Sequence, residues 1–114
     1  VLDKYLSAIN DVQTIERDKS SKEVFHLYEF RVKNKKKRNN LVSFLRKNKI
    51  DAKIHYPVPM HLQPAAKKYG YRKGDFPKAE LIADTTISLP VHEFISLKQL
   101  KFMVTTINSF FSAN

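Results

Sequence analysis

The chain has 114 residues, of which 42% are hydrophobic and 28% charged, with no cysteine and a formal net charge of +10. That length suits one compact domain with a modest core, and a chain without cysteine has no disulfide, thiolate zinc site or cysteine nucleophile, a composition that suits a reducing cytoplasm. No apolar run approaches the roughly 20 residues that cross a bilayer, no signal-peptide pattern is visible, and the charge favours phosphate, nucleic acid or acidic partners.

The chain opens on Val1 and enters a helical pattern at once, which points to a stretch of a longer polypeptide. Val1, Leu2, Tyr5, Leu6, Ile9 and Val12 recur at helical spacing, predicting the end of a helix over residues 1–13 whose apolar stripe needs a partner. The polar turn "DKSSKE" follows. "VFHLYEFRV", from Val24 to Val32, is rich in β-branched and aromatic residues and predicts a strand. Val24, Tyr28, Phe30 and Val32 share one face and Phe25 and Leu27 the other, so the strand is expected to be central, with His26 a sheet histidine.

The densest basic run, "VKNKKKRNN", holds Lys33, Lys35, Lys36, Lys37 and Arg38. It lacks interleaved aromatics and a recognisable binding module, which favours an exposed connecting loop over a nucleic-acid patch. Leu41, Val42, Phe44 and Leu45 then predict a short helix that ends before Asp51. Alternation follows, with Ala52, Ile54 and Tyr56 facing one way and Lys53 and His55 the other. Pro57 cannot donate to a sheet ladder, so this strand is expected to stop at Tyr56.

"FPKAELIADTT" starts a helix with Pro77 at its first position and Ala79, Leu81, Ile82 and Ala83 on the inner side; a short strand, "TISLP", follows it. Ser96 and Gln99 form an S-x-x-Q capping box, with Ile95 and Leu100 placed as a hydrophobic staple. Leu97, Leu100, Met103, Val104, Ile107, Phe110 and Phe111 make one stripe on the last helix. The order of elements predicts the α+β class: a small, mainly antiparallel three-stranded sheet covered by helices.

The histidines are His26, His55, His61 and His92. Only His55 and His61 are near in sequence, too few for a metal site, and His92 reads as a surface residue. There is no G-x-S-x-G elbow, and the only glycines, Gly70 and Gly74, bracket "GYRKG". That segment reads as a turn rather than a phosphate contact through Arg72 and Lys73. The stretch from His55 to Glu80 is more suggestive. Pro57, Pro59 and Pro64 stiffen the backbone around His55, Tyr56, His61 and Gln63, which lowers the entropy cost of binding. The same prolines also suit a plain irregular connection, and on the residues alone both readings stand.

Four ordered motifs carry a resemblance: H-Y-P at His55–Pro57, P-x-H-x-Q-P at Pro59–Pro64, G-D-F-P-x-A-E at Gly74–Glu80, and S-L-P at Ser88–Pro90. Together they resemble the C-terminal part of the DegT/DnrJ/EryC1/StrS family, pyridoxal-phosphate-dependent aminotransferases acting on nucleotide-linked keto sugars. The resemblance covers nearly the whole chain; Met60, where leucine is common, and the basic "NKKKR" depart from it peripherally. It implies the small C-terminal domain of a fold-type I aminotransferase, with residues 1–13 the end of an interdomain helix. It also implies a missing N-terminal domain that binds pyridoxal 5'-phosphate and carries the catalytic lysine. No catalytic residue, cofactor-binding residue or metal ligand is therefore expected in this chain, which is expected to be inactive alone. The implied partners are an amino donor, glutamate, a nucleotide-linked keto sugar, and a second copy in a homodimer, with no membrane and no nucleic acid. His55 and Tyr56 match the position where the small domain approaches the sugar, with His61 and Gln63 as neighbours, so these four are the expected substrate-binding residues. The alternatives are a freestanding basic nucleic-acid-binding domain, suggested by the charge, and a structural interaction module.

Overall fold

In the computed structural model, which describes residues 1–113, the chain forms four α-helices and three strands. They are α1 (Leu2–Leu6), β1 (Val12–Thr14), β2 (Tyr28–Val32), α2 (Lys35–Lys47), α3 (Pro77–Thr85), β3 (Thr86–Leu89) and α4 (Leu97–Ala113). The strands make one antiparallel sheet in the order β1-β2-β3, so the α+β expectation holds and β2 is central.

Strand periodicity sorts this sheet into two chemically different faces. Tyr28, Phe30 and Val32 of β2 pair with Leu89, Ile87 and Val12 respectively, and all six are buried. Leu2 and Leu6 of α1, Leu41, Val42 and Leu45 of α2, and Met103, Ile107 and Phe110 of α4 close over that face to make the core. Gln13, Glu29, Arg31, Thr86 and Ser88 alternate with those residues and point the other way. The core-facing stripe of α4 agrees with its expected composition except at Leu97, which is half exposed. The capping box is formed as expected: Ser96 Oγ accepts from the Gln99 amide at 3.1 Å and the Ser96 amide donates to Gln99 Oε1 at 2.8 Å. Among the described residues no helix is long and apolar enough to cross a membrane.

Several expectations need correction. The opening helix ends at Leu6, not near residue 13: Val12 is buried like Ile9 but belongs to β1, and an i, i+3 spacing across a turn imitated a helical stripe. The central strand begins at Tyr28 rather than Val24. Val24 and Phe25 are exposed, and His26 is exposed outside the sheet.

The basic run is a helix start, not a loop. Asn34 Oδ1 accepts from the Lys37 amide at 2.9 Å and caps α2, as side-chain acceptors do at helix N-termini. Lys35 pairs with Asp84 at 3.4 Å, and Arg38 is buried, donating to the Ala83 carbonyl and to Asn39 Oδ1. The Asp84 and Ala83 contacts tie α2 to α3. On α3 only Ala83 of the four expected inner residues is buried; Leu81 and Ile82 are half exposed and Ala79 is exposed. The strand expected over Ala52–Tyr56 is reduced to one bridge between Lys53 and Ser88, and β1 supplies the third strand instead.

Candidate functional site

The polar face of the sheet is where the proline-rich segment lies. Lys53 exchanges two 2.9 Å backbone hydrogen bonds with Ser88, and the chain then leaves the sheet. Tyr56 turns it with φ 51°, a left-handed conformation that is costly for a residue with a side chain and doubly unusual before a proline. Two 3-10 turns, Met60–Leu62 and Pro64–Tyr69, carry the backbone on to Gly70, whose φ of 75° is one that glycine adopts without strain. Between this segment, α3 and the sheet lies an open cleft of about 820 Å³.

His55, Tyr56 and His61 line the cleft; Gln63 does not, and its amide instead donates to the Val58 carbonyl at 3.3 Å. Tyr56 is 79% exposed, so the packing with Ile54 suggested by alternation is absent. His61 is enclosed: its side chain is 7% exposed and its ring meets Phe76 edge-on at 4.8 Å. His61 Nε2 lies 3.6 Å from Glu80 Oε1, which accepts from the Gly74 amide at 2.7 Å. Phe76 in turn packs edge-on against Tyr71 at 5.1 Å. Contacts therefore join P-x-H-x-Q-P to G-D-F-P-x-A-E, and both form one aromatic wall.

Two lining residues, Glu29 of β2 and Thr86 of β3, were not among the expected site residues. Only strand register puts them there, since each falls on the polar face opposite a core residue. Ser88 Oγ donates to Glu29 Oε1 at 3.2 Å and steadies that carboxylate. His55 Nε2, His61 Nε2 and Thr86 Oγ1 are buried without a hydrogen-bond partner among the described residues, and all three residues line the cleft.

The other candidates lie elsewhere. The Gly70–Gly74 segment is a turn, closed by the Arg72 amide donating to Asp75 Oδ2 at 2.7 Å, and neither Arg72 nor Lys73 lines the cleft. His92 is exposed, its Nδ1 accepting from the Phe94 amide. Among the described residues no three histidines or carboxylates converge on a point that would hold a metal ion.

Chemically, the cleft offers aromatic and aliphatic walls, the hydroxyls of Tyr56, Tyr69, Tyr71 and Thr86, two imidazoles and one carboxylate. That set suits a ligand with an apolar face and hydroxyl groups at its edge. Among the described residues no lysine or arginine lines it, so it offers no primary amine to condense with an aldehyde and no guanidinium or ammonium for a phosphate.

A sequence model described as the DegT/DnrJ/EryC1/StrS aminotransferase family matches residues 1–108. Over 77% of its length the chain is 36% identical to the pleiotropic regulatory protein of Geobacillus stearothermophilus, covering 23% of that protein. Over 60% of its length it is 40% identical to the dTDP-3-amino-3,4,6-trideoxy-alpha-D-glucose transaminase of Streptomyces venezuelae, covering 17% of it. The fold superposes with a TM-score of 0.87 on a crystal structure of S. venezuelae DesV in complex with a ketimine intermediate, at 26% identity over 96% of this chain and 29% of that one. The chain thus spans about a quarter of the length of the relatives it matches.

Proposed function

The chain belongs to the DegT/DnrJ/EryC1/StrS aminotransferase family, and from that premise we propose that it is the small C-terminal domain of a sugar aminotransferase. The complete enzyme, a homodimer in this reading, uses pyridoxal phosphate to move an amino group from glutamate to a keto sugar carried on a nucleotide. The observation that carries the reading is the cleft, walled by three of the family-like motifs and lined by His55 and Tyr56.

With no lysine or arginine in its lining among the described residues, the cleft does not fit the cofactor, which needs an amine for its aldehyde and cations or amides for its phosphate. The cofactor and its lysine are therefore assigned to another part of the complete protein, and this chain alone is expected to be inactive. Its residues act on the sugar side. Tyr56, exposed and held in a strained conformation, presents a ring face and a hydroxyl outward; strain of this kind concentrates where a site needs a fixed geometry. The His55 imidazole, beside it, is placed to hydrogen-bond a sugar hydroxyl. His61 and Gln63 support the wall and the loop.

The test uses the complete protein, loaded with cofactor and glutamate and offered a panel of nucleotide-linked keto sugars. Mass spectrometry is expected to find an amino sugar from at least one of them. Cofactor-loaded protein that accepts glutamate's amino group but aminates none of the panel would contradict the assignment.

A further inference from the structure

We infer that Glu80 is a positioning residue for the sugar side of the cleft, a role that rests on the reading of the cleft just given. Glu80 lies on α3, and its side chain is only 13% exposed. A single carboxylate oxygen, Oε1, accepts from the Gly74 amide at 2.7 Å and faces His61 Nε2 at 3.6 Å. One atom thus hydrogen-bonds the Gly70–Gly74 turn to a helix and stands beside the Met60–Leu62 3-10 turn without a hydrogen bond to it; both turns lie outside regular α or β structure.

These two segments carry the wall. His61 packs on Phe76 and Phe76 on Tyr71, and all three rings line the cleft. Tyr71 and Phe76 are 50% and 44% exposed, so burial alone holds them weakly. The Arg72–Asp75 hydrogen bonds close the turn on itself, but they do not set where it stands relative to α3. The Glu80 bond to Gly74 does. Hydrogen bonds to charged groups are worth more than neutral ones, and Gly74, at φ 97°, presents its amide from a backbone conformation that side-chain-bearing residues rarely adopt. Glu80 itself is not needed to touch substrate; it sets where Tyr71, Phe76 and His61 stand when the sugar arrives.

The experiment compares Glu80→Ala and Glu80→Gln in the complete, cofactor-loaded protein. Gln keeps an oxygen for the Gly74 amide and Ala does not. Glu80→Ala is expected to raise KM for the nucleotide-linked keto sugar roughly tenfold, the loss of one good hydrogen bond's worth of ordering. The glutamate half-reaction should stay within about twofold, and Glu80→Gln should recover most of the sugar affinity. Amide hydrogen exchange at Gly74 should quicken in the Ala variant and not in the Gln variant.

An unchanged sugar KM in Glu80→Ala would overturn the inference, as would equal losses in both half-reactions, which mark general unfolding. A Gln variant as impaired as the Ala variant would also overturn it. If no keto sugar is aminated by the parent protein, the underlying reading fails instead, and the Gly74 exchange comparison still decides whether Glu80 holds the wall.

Discussion

The Tyr28 hydroxyl donates to Asp3 Oδ1 at 2.5 Å, joining the first helix to the central strand across 25 residues. Arg17 adds two hydrogen bonds to the same carboxylate and lies over the rings of Phe25 and Tyr28. Burial works against the Asp3 charge, but the bonds from Tyr28 and Arg17 outweigh it and hold its pKa below the ordinary carboxylate value.

A carboxyl depressed in the folded state stabilises the fold above its unfolded pKa of about 3.9 and loses that contribution as pH falls through the folded value. Asp3→Ala should cost about 1 kcal/mol at neutral pH, because the Asp3 side chain is 40% exposed and solvent screens the charge part of its bonds, while the Tyr28 hydroxyl is left without its acceptor. The gap to the parent protein should close as pH drops from 5 towards 2. Urea melts across that range check it; a constant gap would show that charge at Asp3 is not what matters.

The last helix rests on its cap and its stripe. Ser96→Ala is expected to cost about 1 kcal/mol, because the Gln99 amide loses its acceptor. Ile107, fully buried, should cost about 2 to 5 kcal/mol when cut to alanine. Denaturant midpoints at constant slope measure both, and an Ile107→Ala protein as stable as the parent would mean that face is not packed as described.

Helix α2 begins with three lysines and has no acid in its first turn, the wrong sign for a helix N-terminus. Lys36→Glu should raise stability by about 0.3 to 1 kcal/mol. The gain should shrink with added salt, and a loss of stability would point to a role for Lys36 in packing.

Much of this architecture was legible because it depends on periodicity and local chemistry. The α4 stripe, its S-x-x-Q cap, Pro77 at the start of α3 and the short β3 are signals that lie within a few residues of one another. The errors came where local pattern and long-range pairing disagree. Ala52 to Tyr56 alternates like a strand, yet only Lys53 finds a partner, at Ser88, and Tyr56 turns outward. The lysine run lacks apolar residues to mark a helix, although Asn34 was a readable cap. In the cleft, the family resemblance indicated His55, Tyr56 and His61, whereas Glu29 and Thr86 enter only through sheet register. Gln63 belongs to the same motif but spends its amide on Val58.

Tyr56 is exposed at φ 51°, so glycine at this position should not weaken the fold. Tyr56→Gly is expected to leave stability unchanged or up to about 1 kcal/mol higher, since left-handed backbone costs about that much with a side chain. Its sugar turnover should fall. A loss of 2 kcal/mol or more in a thermal melt would place the ring in the core after all.

The central claim is that this chain serves the sugar half of the reaction, and single-turnover kinetics of the complete protein separate the two halves. His55→Ala and Tyr56→Phe should each slow amino transfer to the keto sugar roughly tenfold or more, the scale of one lost hydrogen bond in a bound complex. Both should take the amino group from glutamate at nearly the parent rate and bind the cofactor as tightly. Unchanged sugar kinetics in both variants, or a loss confined to the glutamate half, would contradict the account.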